Sequence, residues 1–96
     1  MHEIRVPKLG ETMEEAQIIE WLAEEGETVE PRQVLVILQT EKAGYELEAQ
    51  YGGILHIITP ADPDVDIPVT HLIGLIAETQ EEYEKIKSER EASSNV

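Results

Sequence analysis

The chain has 96 residues and a formal charge of −14, from 7 Lys and Arg against 21 Asp and Glu. A chain this short makes one domain that buries only roughly 60–65% of its unfolded surface. It has no basic stripe to replace counterions on nucleic-acid phosphates, an anionic membrane would repel it, and without cysteine it can build neither a disulfide framework nor a thiolate metal site.

In chain order, Ile4 and Val6 mark a short strand ending at Pro7, followed by a polar loop from Leu9 to Glu15. Ala16 to Leu22 is the next strand; Ile18 and Ile19 are adjacent, which predicts a bulge or burial on both sides, and Trp21 is the expected core anchor. Glu24 to Glu27 is a turn, Thr28-Val29 a brief strand and Pro31 a breaker before Val34-Leu35-Val36-Ile37-Leu38, the most hydrophobic run. Thr40-Glu41-Lys42-Ala43-Gly44 then separates that run from Tyr45, Leu47 and Ala49, which alternate with Glu46 and Glu48. This is the pattern of a β-hairpin, with Gly44 as the candidate left-handed residue closing the turn. Gly52-Gly53 leads into Ile54 to Ile58, Pro60 to Asp64 is read as a rigid loop, Val65 to Ile67 as a short strand, and Leu72 to Ile76 as the last one.

Seven or eight short strands with regular punctuation indicate an all-β sandwich or barrel. A shift of 38 positions lays Val29 on Ile67, Val34 on Leu72, Leu35 on Ile73, Ile37 on Leu75 and Leu38 on Ile76. Two copies of one unit this small cannot be stable apart, so they should pack with quasi-twofold symmetry, joined by the Lys42 hairpin. The expected fold is a flattened barrel or sandwich of two four-stranded antiparallel sheets. After Glu78 the composition changes: residues 1–78 carry 4 basic and 16 acidic side chains, a net −12, and residues 79–96 carry 3 and 5, a net −2. Thr79 and Glu82 make a capping box and Glu81 with Lys85 an i,i+4 pair, so 79–96 is read as a charged tail with a marginal helix of about twelve residues that frays from Ala92.

Lys42 is the only lysine between Lys8 and Lys85, and Arg32 is the only other basic residue in that span. The pattern leaves two readings open, a solvated tip lysine and a chemical handle. A catalytic lysine needs burial or a neighbouring cation to lower its pKa, whereas modification by another enzyme needs only access. Asp62, Asp64 and Asp66 alternate, yet an EF-hand loop needs Gly and Glu where Ile67 and Ile73 stand. His2, His56 and His71 show no ligand spacing and are read as half-exposed strand or loop residues. No catalytic or metal site is expected. With no run approaching 18 apolar residues, the chain reads as a soluble protein of a reducing compartment, cytoplasmic or, in a eukaryote, the mitochondrial matrix.

Pro7 to Glu14, Ile18, Trp21-Leu22, Glu25 to Val29, Thr40 to Ala43, Glu46-Leu47, Gly53 to Leu55 and Ile73 to Ile76 together resemble a lipoyl domain of the dihydrolipoamide acyltransferase component of 2-oxo acid dehydrogenase complexes. The resemblance covers residue 3 to about 78. Glu41-Lys42-Ala43 stands where the family usually has Asp-Lys-Ala, and Thr40, Glu41 and Ala43 are the flanks of the attachment motif. The sequence departs from the family's usual residues at Glu15, Gly44, Asp64 and Val65. The tail lacks the Ala/Pro-rich composition of the family's linkers, which leaves a free-standing carrier open beside membership of a longer chain.

The resemblance implies that Lys42 carries lipoate as an amide and that the chain is a non-catalytic swinging-arm acyl carrier; any longer parent chain would be a dihydrolipoamide acyltransferase. Its implied partners are a thiamine-diphosphate-dependent 2-oxo acid decarboxylase that reductively acylates the arm, an acyltransferase core that passes the acyl group to coenzyme A, a dihydrolipoyl dehydrogenase and a lipoate ligase. Gly10, Glu11 and Met13 correspond to the loop by which the decarboxylase recognises its carrier. Biotin carriers share the fold but usually flank their lysine with methionines, which Glu41 and Ala43 are not; glycine-cleavage carriers are longer. An unmodified acidic interaction module of the same fold is the rival from another class.

Overall fold

The structure is a computed structural model that describes residues 1–8, 10 and 13–94, with side chains as far as Arg90. Its strands are β1 (His2–Arg5), β2 (Glu15–Trp21), β3 (Thr28–Val29), β4 (Val34–Gln39), β5 (Gly44–Glu48), β6 (Gly53–Ile57), β7 (Asp62–Pro68) and β8 (Leu72–Ala77), and they precede one helix, α1 (Gln80–Ser94). They form two antiparallel four-stranded sheets, ordered β1-β8-β6-β3 and β5-β4-β2-β7, that face each other without closing into a barrel. Moving each strand of the first sheet to its counterpart in the repeat (β1 to β5, β8 to β4, β6 to β2, β3 to β7) reproduces the second sheet's order, so the quasi-twofold axis relates the two sheets.

Between the sheets lie Ile18, Leu35, Val36, Leu38, Leu55, Ile73 and Ile76, each at most 1% exposed. The bulge expected in β2 is present between Ile18 and Glu20. It keeps Ile18 inside and turns Ile19 out to 40% exposure. Trp21 is half-buried against this core, with Nε1 donating to the Thr59 carbonyl at 2.9 Å. The Pro60 to Asp64 segment, expected to be a loop, belongs in part to β7, which begins at Asp62. Pro63 is tolerated there because β7 is an edge strand with β2 as its sole neighbour.

Helix α1 lies on the outer face of the first sheet, where Tyr83 and Ile86 form a second core with Ile54, Leu75 and Ala77. A helix this short is marginal alone, and packing stabilises it. Its start is capped: the Glu82 amide donates to Thr79 Oγ1 at 3.1 Å, and Glu82 Oε1 accepts from the Glu78 amide at 3.1 Å and pairs with the Met1 ammonium at 3.0 Å. Ala92 and the two serines after it are helical, and Asn95 and Val96 lie outside the described residues.

Candidate functional site

The β4–β5 hairpin places Lys42 at its tip. Gln39 and Gly44 form the last ladder pair, and the Thr40 amide donates to the Ala43 carbonyl at 2.9 Å. Thr40 is 9% exposed and uses its hydroxyl completely: it accepts from the Lys42 and Ala43 amides at 3.3 and 3.2 Å and donates to the Ala43 carbonyl at 3.1 Å. Short hydroxyl-to-backbone bonds of this kind fix the turn beyond the last ladder pair. Gln39 Nε2 adds a bond to the Thr40 carbonyl at 2.8 Å. Glu41 and Lys42 are exposed.

Gly44 differs from expectation. The glycines with positive φ among the described residues are Gly26 and Gly53, and Gly44 is instead the first residue of β5. The side chain of Thr40 does the work assigned to a left-handed glycine. A Cβ at Gly44 would meet Gln39 Oε1 at 3.2 Å, the far end of a flexible side chain.

Beside the tip is a cleft of about 470 Å³. Gly10, Met13 and Glu14 line one wall, and Thr40, Glu41, Lys42 and Tyr45 the other, with Glu15 and Gln17 between. Met13 also packs against the main core, which ties the loop to the body, and within the loop its amide donates to the Gly10 carbonyl at 3.2 Å. Gly10 and Met13 are thus brought to Lys42, while Glu11 lies outside the described residues. Tyr45, which sequence reasoning placed only on a buried strand face, borders the cleft as well. The amine that any attached group would need is accessible, and the wall beside it gives apolar surface through Met13 and Tyr45.

A second polar cluster lies under α1. His56, expected to be half-exposed, is 6% exposed. Its Nε2 is 2.6 Å from Arg90 Nη1 and its Nδ1 is 2.7 Å from Glu25 Oε2. A guanidinium can only donate, so Nε2 is the acceptor and Nδ1 carries the proton given to Glu25. The Tyr83 hydroxyl donates to the same carboxylate oxygen at 2.6 Å, and the Ile57 amide donates to Glu25 Oε1 at 2.7 Å. Burial alone would raise the pKa of Glu25, but the bonds from Tyr83, His56 and the Ile57 amide outweigh it and hold the carboxyl below its ordinary value. The arrangement joins helix to sheet, and Arg90 occupies the ring nitrogen that a catalytic histidine would need. Its hydrogen-bonded pairs are 31, 34 and 58 positions apart, and no local motif announced it.

Asp62, Asp64 and Asp66 are on the β7 edge strand, where Asp66 accepts from Gln17 Nε2 at 2.7 Å and Asp62 from the Asp64 amide at 3.0 Å. Among the described residues no group of three or more His, Cys, Asp or Glu side chains could hold a metal ion, and no helix is long and apolar enough to cross a membrane.

Residues 2–72 match the family described as biotin-requiring enzymes, which covers biotinyl and lipoyl attachment domains. The match stops before α1. The chain is 36% identical over 87 residues, 91% of its length, to a dihydrolipoyllysine-residue acetyltransferase component of the chloroplast pyruvate dehydrogenase complex of Arabidopsis thaliana. It is 37% identical over 78 residues, 81% of its length, to the dihydrolipoyllysine-residue succinyltransferase component of the 2-oxoglutarate dehydrogenase complex of Bacillus subtilis. It spans only 18% of the length of each. The solution structure of the lipoyl domain of the Azotobacter vinelandii 2-oxoglutarate dehydrogenase complex superposes with a TM-score of 0.66 at 22% identity, over 81% of this chain and 98% of that one. With the family match across most of its length and the two-sheet fold of a lipoyl domain, the chain belongs to the biotin/lipoyl attachment family.

Proposed function

We propose that residues 1–78 are a lipoyl carrier domain in which Lys42 Nζ holds lipoate in amide linkage, and that the chain serves as a swinging-arm acyl carrier of a 2-oxo acid dehydrogenase complex. The observation that carries this reading is the exposed lysine on a hydrogen-bonded tip that opens onto the cleft of the Gly10–Met13 loop. The relatives' names and the absence of methionine beside Lys42 favour lipoate over biotin.

Lipoate, when bound, supplies a dithiolane that can accept an acyl group with two electrons and release both at other enzymes. The chain's own residues do the positioning. Thr40 holds the turn so that Nζ projects clear of the sheet, where a ligase can reach it. Acylation of Nζ forms an amide and removes its positive charge, which frees the arm from Glu14, Glu15 and Glu41 around the cleft. Tethering then gives the carried group a high effective concentration at successive active sites. Gly10 and Met13 border the arm's cleft, and with Glu11 they are the residues we assign to recognition by a thiamine-diphosphate-dependent decarboxylase. The acyltransferase core and the dihydrolipoyl dehydrogenase complete the cycle. A chain without cysteine suits a reducing compartment, the cytoplasm or, in a eukaryote, the mitochondrial matrix.

The test is intact mass after incubation with lipoate, ATP and a lipoate ligase, which activates the carboxylate as its adenylate so that AMP leaves as the amide forms. The wild type gains one lipoyl group and Lys42→Arg gains none. An unchanged wild-type mass, or the same gain on the Arg variant, overturns the reading; a gain with biotin and biotin ligase instead would establish the biotin alternative.

A further inference from the structure

The repeat makes the outer faces of the two sheets counterparts, yet they are finished differently. On the first sheet Leu72, Leu75 and Ala77 point outward under α1, with Tyr83 and Ile86 over them. Their counterparts 38 residues earlier are Val34, Ile37 and Gln39 of β4. Among the described residues no element covers this second face. Ile37 lies between its ladder partners Glu20 and Glu46, Val34 is opposite Glu48, and Ile19 stands out at the β2 bulge. Gln17, opposite Gln39, reaches Asp66 on the neighbouring strand.

The strands of this sheet contain no Lys or Arg and seven Asp or Glu, and among the described residues no ion pair involves Glu20, Glu46, Glu48 or Asp66. The strands of the first sheet, by contrast, contain one Glu and one Arg. The face is therefore an apolar strip with an unneutralised anionic rim, on a surface whose counterpart already accepts a helix.

We propose that the outer face of the β5-β4-β2-β7 sheet docks a cationic amphipathic helix of a partner protein, its apolar side over Ile19, Val34 and Ile37 and its Lys or Arg side chains against Glu20, Glu46, Glu48 and Asp66. The rim speeds encounter and selects charge, and the strip supplies contact area. A second copy of this chain is a poor occupant, because its helix carries five Glu against three Lys or Arg and its apolar residues Tyr83 and Ile86 are already used on its own first sheet. The proposal is independent of what Lys42 carries.

Two synthetic peptides of the same Leu and Lys content test it, each about four helical turns long, one ordered so that its Leu residues share a helix face and one shuffled. Isotope-labelled full-length chain is titrated with each and followed by amide chemical shifts. The ordered peptide is expected to bind about tenfold or more tighter than the shuffled one, with shifts centred on Ile19, Glu20, Ile37 and Glu46. Glu20→Gln with Glu46→Gln should weaken it about fivefold, in line with exposed charge pairs, and Ile19→Ser should weaken it as well. Ile19 and the two glutamates are at the surface, so unchanged thermal unfolding confirms that these variants fold. Equal binding of the two peptides, shifts centred on α1 or on the Lys42 tip, or unweakened binding to the Gln and Ser variants overturns the proposal.

Discussion

One sheet of this molecule carries a helix on its outer face and the other carries the lysine hairpin on an open one. The strands come from a repeated pattern, and their inner positions are interchangeable: Leu35 and Leu38 on one side, Ile73 and Ile76 on the other. The outer positions have diverged. Leu72, Leu75 and Ala77 lie under Tyr83 and Ile86, so β8 is buried along nearly its whole length, while the outer positions of β4 are flanked by glutamates. A small two-sheet fold thus gains a second core on one side and leaves the other side free. The covered sheet is the support, and the acidic one is the face on which we propose that a partner docks.

The largest effect should come from uncovering the covered sheet. Tyr83→Ala removes the main apolar contact of α1 and a hydrogen bond to Glu25, and should cost about 3 kcal/mol in urea unfolding. Ile19→Ala on the open face should cost less than about 0.5 kcal/mol. Equal costs would show that α1 adds no core.

Next comes the tip. Thr40→Val keeps the shape but leaves two amides and a carbonyl without the hydroxyl, and should cost about 1 kcal/mol. It should also slow ligase modification of Lys42, and Thr40→Ser should restore both. Modification rate and urea midpoint measured on the same samples separate a loosened tip from a general loss of stability.

Acid should act through the helix-covered side. The folded state lowers the pKa of Glu25, so its contribution is present above the ordinary carboxylate range and is lost as pH falls through the lowered value. Stability should therefore decline on acidification, and Glu25→Gln should flatten that decline. An unflattened decline in the Gln variant would place the acid sensitivity elsewhere, first at Glu82, whose carboxyl the Met1 ammonium and the Glu78 amide also hold below its ordinary value.

The smallest effect is expected at Gly44. Its φ is not positive and only the end of Gln39 stands in the way of a Cβ, so Gly44→Ala should be neutral or stabilise by up to about 0.5 kcal/mol through the unfolded chain. A loss above about 1 kcal/mol would mean that glycine is needed at the tip after all.

Much of this was legible in the sequence for local reasons. Alternation in Tyr45 to Ala49, the apolar run of β4, the Ile18-Ile19 pair and the 38-residue offset are one-dimensional signals of two-residue periodicity and repetition, and they yield the strands, the bulge, the two-sheet architecture and an isolated lysine on a turn. The resemblance rested on spacing over the same residues. What the tertiary structure alone decided depended on groups far apart in the chain. Glu25, His56, Tyr83 and Arg90 meet because α1 folds back onto β6 and β8, and the low apolar content of that helix hid how deeply two of its residues are buried. The cleft arises because the loop before β2 comes to rest beside a hairpin that begins some 25 residues later. Gly44 departs from expectation because a side-chain hydroxyl and a left-handed backbone both close a turn, and the sequence shows Thr40 and Gly44 without saying which does so. Periodicity determines which face of a strand turns inward; what covers the outward face depends on where the rest of the chain, or a partner, comes to lie.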